Sequence, residues 1–173
     1  MITNYVITKK FRFRNFSPLL TILILLIGAY FYSTYKYGGE SGIFFLIFFL
    51  VFFLIQAFMH LLLHLNYYYA NKFDSLECDF ENKTIIYHHG NDNTIECKSD
   101  EIKIVKHFMS YPARNKKAGL LTWDSYSYCD IELRDERHFI ITSLLVPDLE
   151  AFLSNMNIDR YRIKKIAGFY SLV

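Results

Sequence analysis

The sequence predicts a membrane-anchored α+β protein, a two-helix transmembrane hairpin followed by an antiparallel β partial barrel that a C-terminal helix caps. Three observations predict it. Two stretches carry no charge at all, 21 residues between Arg14 and Lys36 and 31 between Glu40 and Lys72. Beyond Asn66 the apolar residues recur at every second position, the period of half-buried strands. Near the C-terminus Leu149, Phe152, Leu153 and Met156 fall instead on one helical stripe.

Taken in order, residues 1–17 read as a basic N-terminus, with Lys9, Lys10, Arg12 and Arg14 ahead of the first apolar run. The first span covers about 18–36, where Pro18 suits a first turn and Ser17 is a candidate N-cap. A spanning helix needs about 20 apolar residues, because each advances roughly 1.5 Å through about 30 Å of hydrocarbon. A signal peptide is the rival reading, but no small-x-small cleavage site follows, and the second span, 43–65, would still anchor the chain. YKYGGESG, between the spans, is short enough only for a tight turn, so the two run antiparallel. Tyr30, Tyr32, Tyr35 and Tyr37 at one end, and Tyr67, Tyr68 and Tyr69 at the other, read as interfacial belts. The cations before the first span put both termini in the cytoplasm by the positive-inside rule, making a multi-pass protein of the cell inner membrane. Cys78, Cys97 and Cys129 are odd in number, lack CxxC spacing and would be free thiols in that reducing compartment.

Residues 66–157 read as one small domain. SLECDF alternates Leu76, Cys78 and Phe80; ENK turns; TIIYHHG returns; TIECKS and EIKIVKHFM continue, with a bulge or a break expected near Ser99 and Asp100. SYPARNKKAGLLTWDS reads as a long loop. SYSYCDIEL then points Cys129, Ile131 and Leu133 inward, RDER turns, and HFIITSLL pairs back. Pro147 opens the closing helix, with Asp148 and Glu150 at its positive end. Residues 158–173 form a basic amphipathic tail that can lie on an anionic surface, extend the helix or pack on the sheet.

The stretch W-D-x-Y-x-Y, then I-x-L, a charged turn and I-I-T-x-L-L-V-P-x-L, from Trp123 to Leu149, resembles the bacterial pleckstrin-homology-like (PH-like) membrane proteins, including the YcxB-like group. The likeness covers about the last two-thirds of the chain. It implies a PH-like partial barrel with a terminal helix, and a binding or assembly module without its own catalysis. Eukaryotic relatives that grip phosphoinositides place a basic motif in the first hairpin; here that turn reads as ENK, so no such site carries over.

Gln56, His60 and His64 stand at i, i+4 and i+8 on one face of the second span. They read as an interhelical polar stripe facing Thr21, Gly28 and Tyr35 of the first span, with Gly28 permitting close approach. His60 and His64 also have the spacing of two metal ligands or a proton relay, but no third ligand is visible, so no metal and no cofactor is expected. His88 and His89 point to opposite faces of a strand, and His107 and His138 are isolated. Lys103, Lys106, Arg114, Lys116 and Lys117 form the candidate contact to the anionic leaflet or a ligand. No nucleophile-elbow, Walker, dinucleotide or zincin pattern occurs, which argues against an enzyme.

Three functions are compatible with this reading. The first is a non-enzymatic inner-membrane protein whose cytoplasmic domain binds a protein segment or the anionic leaflet. The second is a small immunity or regulatory membrane protein blocking a toxin or channel. The third is a metal- or proton-handling factor using His60 and His64. Membrane lipids and a protein partner or second copy are the expected partners, with no nucleic acid.

Overall fold

The computed structural model describes residues 2–90, 93–115, 121–158 and 163–167. In chain order the elements are β1 (Ile2–Val6), α1 (Lys9–Tyr37), α2 (Gly39–Asn71), β2 (Ser75–Asp79), β3 (Thr84–His89), β4 (Asn93–Lys98), β5 (Ile102–Met109), α3 (Tyr111–Arg114), β6 (Tyr128–Leu133), β7 (His138–Thr142), α4 (Leu149–Asn155) and β8 (Ile163–Ala167). The strands make two sheets, ordered β1-β2-β3-β4 and β7-β6-β5-β8. Every pairing is antiparallel except β5 with β8.

The strand pattern does what its period requires. Leu76 and Cys78 of β2, Ile85 and Tyr87 of β3, and Cys129, Ile131 and Leu133 of β6 all point into one core, where Leu149, Phe152, Leu153 and Met156 join them. Burying each such large side chain is worth about 1.5–3 kcal/mol. Asp148 caps α4, its Oδ1 accepting from Ala151 N at 2.9 Å. The outer face of the second sheet is apolar as well. Tyr128, Phe108 and Ile140 turn outward and pack with Leu63 and Tyr67 of α2, so this sheet is covered on both sides. Tyr67 is therefore a core residue rather than part of an interfacial belt.

Several boundaries differ from those read in sequence. Residues 2–6, expected in a basic N-terminus, are an edge strand pairing Tyr5 with Leu76, so the domain does not begin at Asn66. ITNYV is too short and too polar to announce itself as a strand without its partner. The helical pair thus interrupts the β1–β2 hairpin, and ENK is the second turn of the domain, not the first. Helix α1 begins at Lys9 and carries Pro18 in its interior, where Thr21 Oγ1 donates to Ser17 O at 3.1 Å. Helix α2 outruns the expected 43–65 at both ends. The break expected near Ser99 and Asp100 separates β4, ending at Lys98, from β5, beginning at Ile102, and a register shift follows between Ile102 and Ile104. The long loop contains α3, capped by Ser110 Oγ, which accepts from Ala113 N at 3.3 Å. Of the tail, residues 163–167 pack on the sheet as β8. The rest from 168 lies outside the described residues.

Candidate functional site

Helix α2 meets the second sheet along one face, and that face is polar where the rest of the helix is not. Gln56, His60, His64 and Asn71 are buried, with Leu63 and Tyr67 between them. Four-residue spacing aligns the first three on a stripe, as expected, but the stripe meets α1 through the Phe16 ring and not through the expected Thr21, Gly28 and Tyr35. It faces the segment between α3 and β6. Thr122 Oγ1 lies 3.4 Å from both Gln56 O and Gln56 Oε1, and Thr122 N lies 3.4 Å from Gln56 Oε1. His60 Nδ1 lies 3.1 Å from Thr122 O; its Nε2 lies 3.2 Å from the Tyr126 hydroxyl, itself 2.8 Å from His64 Nδ1. Phe16 of α1 packs on both imidazoles at centroid distances of 5.0 and 4.6 Å.

The polarity of this relay follows from its one fixed end. A carbonyl only accepts, so His60 Nδ1 carries the proton and His60 Nε2, in a neutral ring, accepts from Tyr126 O–H. The Tyr126 oxygen is then left to accept from His64 Nδ1–H. The relay holds both rings in one tautomer and ties α2 to the domain across more than 60 residues of sequence. The expected partners on α1 are otherwise engaged. Thr21 bonds within its own helix, Tyr35 is 91% exposed, and a Cβ on Gly28 would meet nothing within 4 Å. The close approach occurs at Gly42, where a Cβ would stand 2.6 Å from Thr34 Oγ1. The reason is chemical: the 121–126 segment offers a backbone carbonyl and hydroxyls, which the apolar face of α1 lacks.

One turn beyond the relay, a cavity of about 270 Å³ opens between α2, the end of β5, α3 and the 121–126 segment. Leu63, Tyr67, Phe108, Met109, Leu121 and Trp123 supply most of its apolar lining. Its carboxylate, Asp124, is already used: Oδ2 accepts from Leu121 N at 3.0 Å. Ser110 Oγ donates to Asp124 O at 3.2 Å.

At its C-terminal end α2 is fixed a second time. Asn71 Nδ2 lies 2.7 Å from Asp74 Oδ2, 2.9 Å from Ile140 O and 3.3 Å from the Tyr87 hydroxyl, while Asn71 Oδ1 accepts from Thr142 N at 3.0 Å. Tyr87 donates to the same Asp74 oxygen at 2.5 Å, and His89 Nδ1 stands 2.9 Å from the other. One side chain thus bridges the helix end to β3 of the first sheet and β7 of the second.

The basic cluster divides. Lys103 Nζ lies 2.6 Å from Glu132, and Lys106 Nζ lies 3.5 Å from Asp130, so both serve a cross-strand ladder on β5 and β6. Arg114 stands apart at the exposed end of α3, and Lys116 and Lys117 lie outside the described residues. His107, on the inner face of β5, is 2% exposed and neither ring nitrogen has a hydrogen-bond partner among the described residues. Burial pushes its pKa down to about 4, Glu150 opposing and Lys165 adding to the effect. Cys78, Cys97 and Cys129 are buried free thiols; burial pushes the first two up to about 12. Among the described residues no three His, Cys, Asp or Glu side chains converge as a metal site.

Sequence reasoning picked out Gln56, His60 and His64 but not Thr122, Tyr126, Asn71 or the cavity. Their contacts span 62 to 71 residues, beyond the reach of any local period.

Compared with known families, residues 4–152 match the family described as PH domain. No curated protein and no solved structure matches the chain.

Proposed function

The chain belongs to the PH-domain family, and from that premise we propose a non-enzymatic, multi-pass protein of the bacterial inner membrane, of the YcxB-like kind. In this reading α1 and α2 cross the bilayer, both termini are cytoplasmic, and the domain binds what is presented at, or in, the anionic inner leaflet.

The observation that carries the reading is the absence of a linker between helix and domain. Helix α2 has 33 residues, about 50 Å. Its first half, from Ile43 to Ile55, exposes nearly every apolar side chain, and α1 exposes Leu20, Leu23, Ile24, Leu25, Ile27 and Phe31. Both are long and apolar enough to cross a membrane. The second half of α2, from Gln56 to Asn71, is fixed to the domain by the histidine relay and the Asn71 bridge. A domain held this way cannot search the cytosol on a tether. It is suited to a ligand that arrives at a fixed depth. The four cations at the start of α1 support an anionic leaflet on that side, each worth about 1 kcal/mol near such a surface.

Thiol accessibility tests the arrangement, because the native thiols are buried and give little background. Tyr37→Cys, in the exposed turn between the helices, is expected to react with a membrane-impermeant maleimide on intact cells. Glu81→Cys, in the exposed β2–β3 turn, is expected to react only after permeabilisation. Labelling of both, or of Glu81→Cys alone, in intact cells would overturn the proposed topology.

A further inference from the structure

We propose that the cavity between α2, α3 and the 121–126 segment takes the end of an acyl chain from a lipid of the adjoining leaflet. The proposal rests on the membrane-crossing reading above and goes beyond it by naming the ligand and its site.

Depth is the first argument. Helices α1 and α2 approach closely at Thr34 and Gly42, beside the turn that joins them. From Gly42, about 30 Å of hydrocarbon is used up in roughly 20 residues of helix, which ends near Leu62. Gln56 then lies about 9 Å inside that boundary. Thr122 is bonded to Gln56, so that end of the 121–126 segment stands at the same depth, beside the chains rather than above the headgroups, while Tyr126, bonded to His60 and His64, stands at the boundary. Leu63, on the cavity wall, falls at the boundary itself.

Chemistry is the second. Among the described residues the lining holds no lysine, arginine or histidine. Its carboxylate accepts from Leu121 N, Ser110 Oγ donates to Asp124 O, and Leu63, Phe108, Met109, Leu121 and Trp123 make most of the remaining wall apolar beside the hydroxyls of Tyr67, Tyr111 and Tyr126. An apolar chain loses no hydrogen bonds on entering such a site, whereas a water-soluble ligand would leave its polar groups unmatched.

Access is the third. Leu62, next to Leu63 on α2, is 47% exposed, and Phe58 one turn earlier is 61% exposed. A chain lying along this helix reaches the cavity without crossing water. Leu121 and Tyr111 at the rim are exposed too, which continues the apolar path.

Trp123 is the sole tryptophan and lines the cavity, so it reports directly. The full chain is reconstituted in nanodiscs of phosphatidylcholine and phosphatidylglycerol, with or without bromine atoms near the chain ends. Brominated chain ends are expected to abolish most of the Trp123 emission. Leu63→Phe, which fills the cavity from the helix side, is expected to restore it. Native mass spectrometry from detergent is expected to find one retained lipid on the wild type and none on Leu63→Phe. Unquenched Trp123, or quenching and lipid retention untouched by Leu63→Phe in a variant with wild-type circular dichroism, would overturn the site. The maleimide pattern of Tyr37→Cys and Glu81→Cys in sealed vesicles separates the two failures: normal labelling with unquenched Trp123 removes the acyl site alone, while a lost pattern removes the membrane-crossing reading beneath it.

Discussion

Deleting a single oxygen from the junction is a stringent test of how α2 is held. In Tyr126→Phe the ring keeps its edge contact with Tyr67 at 5.3 Å, so packing is unchanged. What disappears is the hydroxyl between the two imidazoles, 3.2 Å from His60 Nε2 and 2.8 Å from His64 Nδ1. Both rings are buried, so each loses a partner that water cannot replace. A buried polar group left unmatched costs about 1–3 kcal/mol. The two together put the loss at roughly 2–6 kcal/mol, a large fraction of the 5–15 kcal/mol that holds a typical domain folded. The assay is unfolding of the full chain from dodecyl maltoside micelles by rising dodecyl sulfate, followed by Trp123 emission beside the relay. Removing His60 as well, in a His60→Leu/Tyr126→Phe variant, is expected to cost less than the sum of the single changes by about 1 kcal/mol or more, as for groups in direct contact. A Tyr126→Phe variant within about 0.5 kcal/mol of the wild type would refute the reasoning, since a hydroxyl bonded to two buried rings cannot be removed so cheaply.

Three further outcomes are expected. Asn71→Ala leaves Thr142 N, Ile140 O and the buried Asp74 carboxylate each short of a partner; a loss of about 3–5 kcal/mol in the same unfolding assay is expected, against less than about 0.5 kcal/mol for the exposed Asn155→Ala. His107 is held well below its ordinary value, so the unfolded chain takes up a proton near pH 6.5 that the folded chain refuses until about 4; its contribution is full above 6.5 and falls by about 1.4 kcal/mol per pH unit as pH drops between these values. His107→Leu removes both the orphaned nitrogens and this pH dependence, and is expected to outlast the wild type at pH 5 by a wider margin than at pH 7.5. Gly42→Val is expected to cost about 1–3 kcal/mol by forcing α2 off Thr34, while Gly28→Ala, with open space around it, stays within about 0.5 kcal/mol; dodecyl sulfate midpoints check both.

The parts of this fold legible in the sequence are those written in a local period. Cys129, Ile131 and Leu133 turned inward as their alternation required, and Leu149, Phe152, Leu153 and Met156 formed the buried stripe of α4. Two uncharged stretches marked the helices, though not their ends, because Lys9 to Ser17 extends α1 with residues that hydropathy counts as polar. Strand β1 was illegible for a different reason: Ile2 to Val6 becomes a strand by pairing with residues 75–79, and no signal within five residues encodes a partner so far away. The same holds for the site. Three polar residues on an apolar helix announced that something polar must face them, but whether that was α1 or a loop 60 residues on depended on tertiary packing alone. Lys103 and Lys106 looked like free cations because their acidic partners sit on the neighbouring strand, visible only once the register of β5 and β6 is known.

The interruption of the β1–β2 hairpin by α1 and α2 constrains biogenesis. Ile2 to Val6 are synthesised before their hydrogen-bonding partners, and the whole helical insertion separates the two. On the membrane-crossing proposal, an insertion event that left an odd number of crossings between them would strand the opening segment on the far side of the bilayer, with the sheet unable to close. Correct parity of threading would then be a condition of completing the fold, and a mis-threaded chain would leave the edge of Ser75 to Asp79 bare.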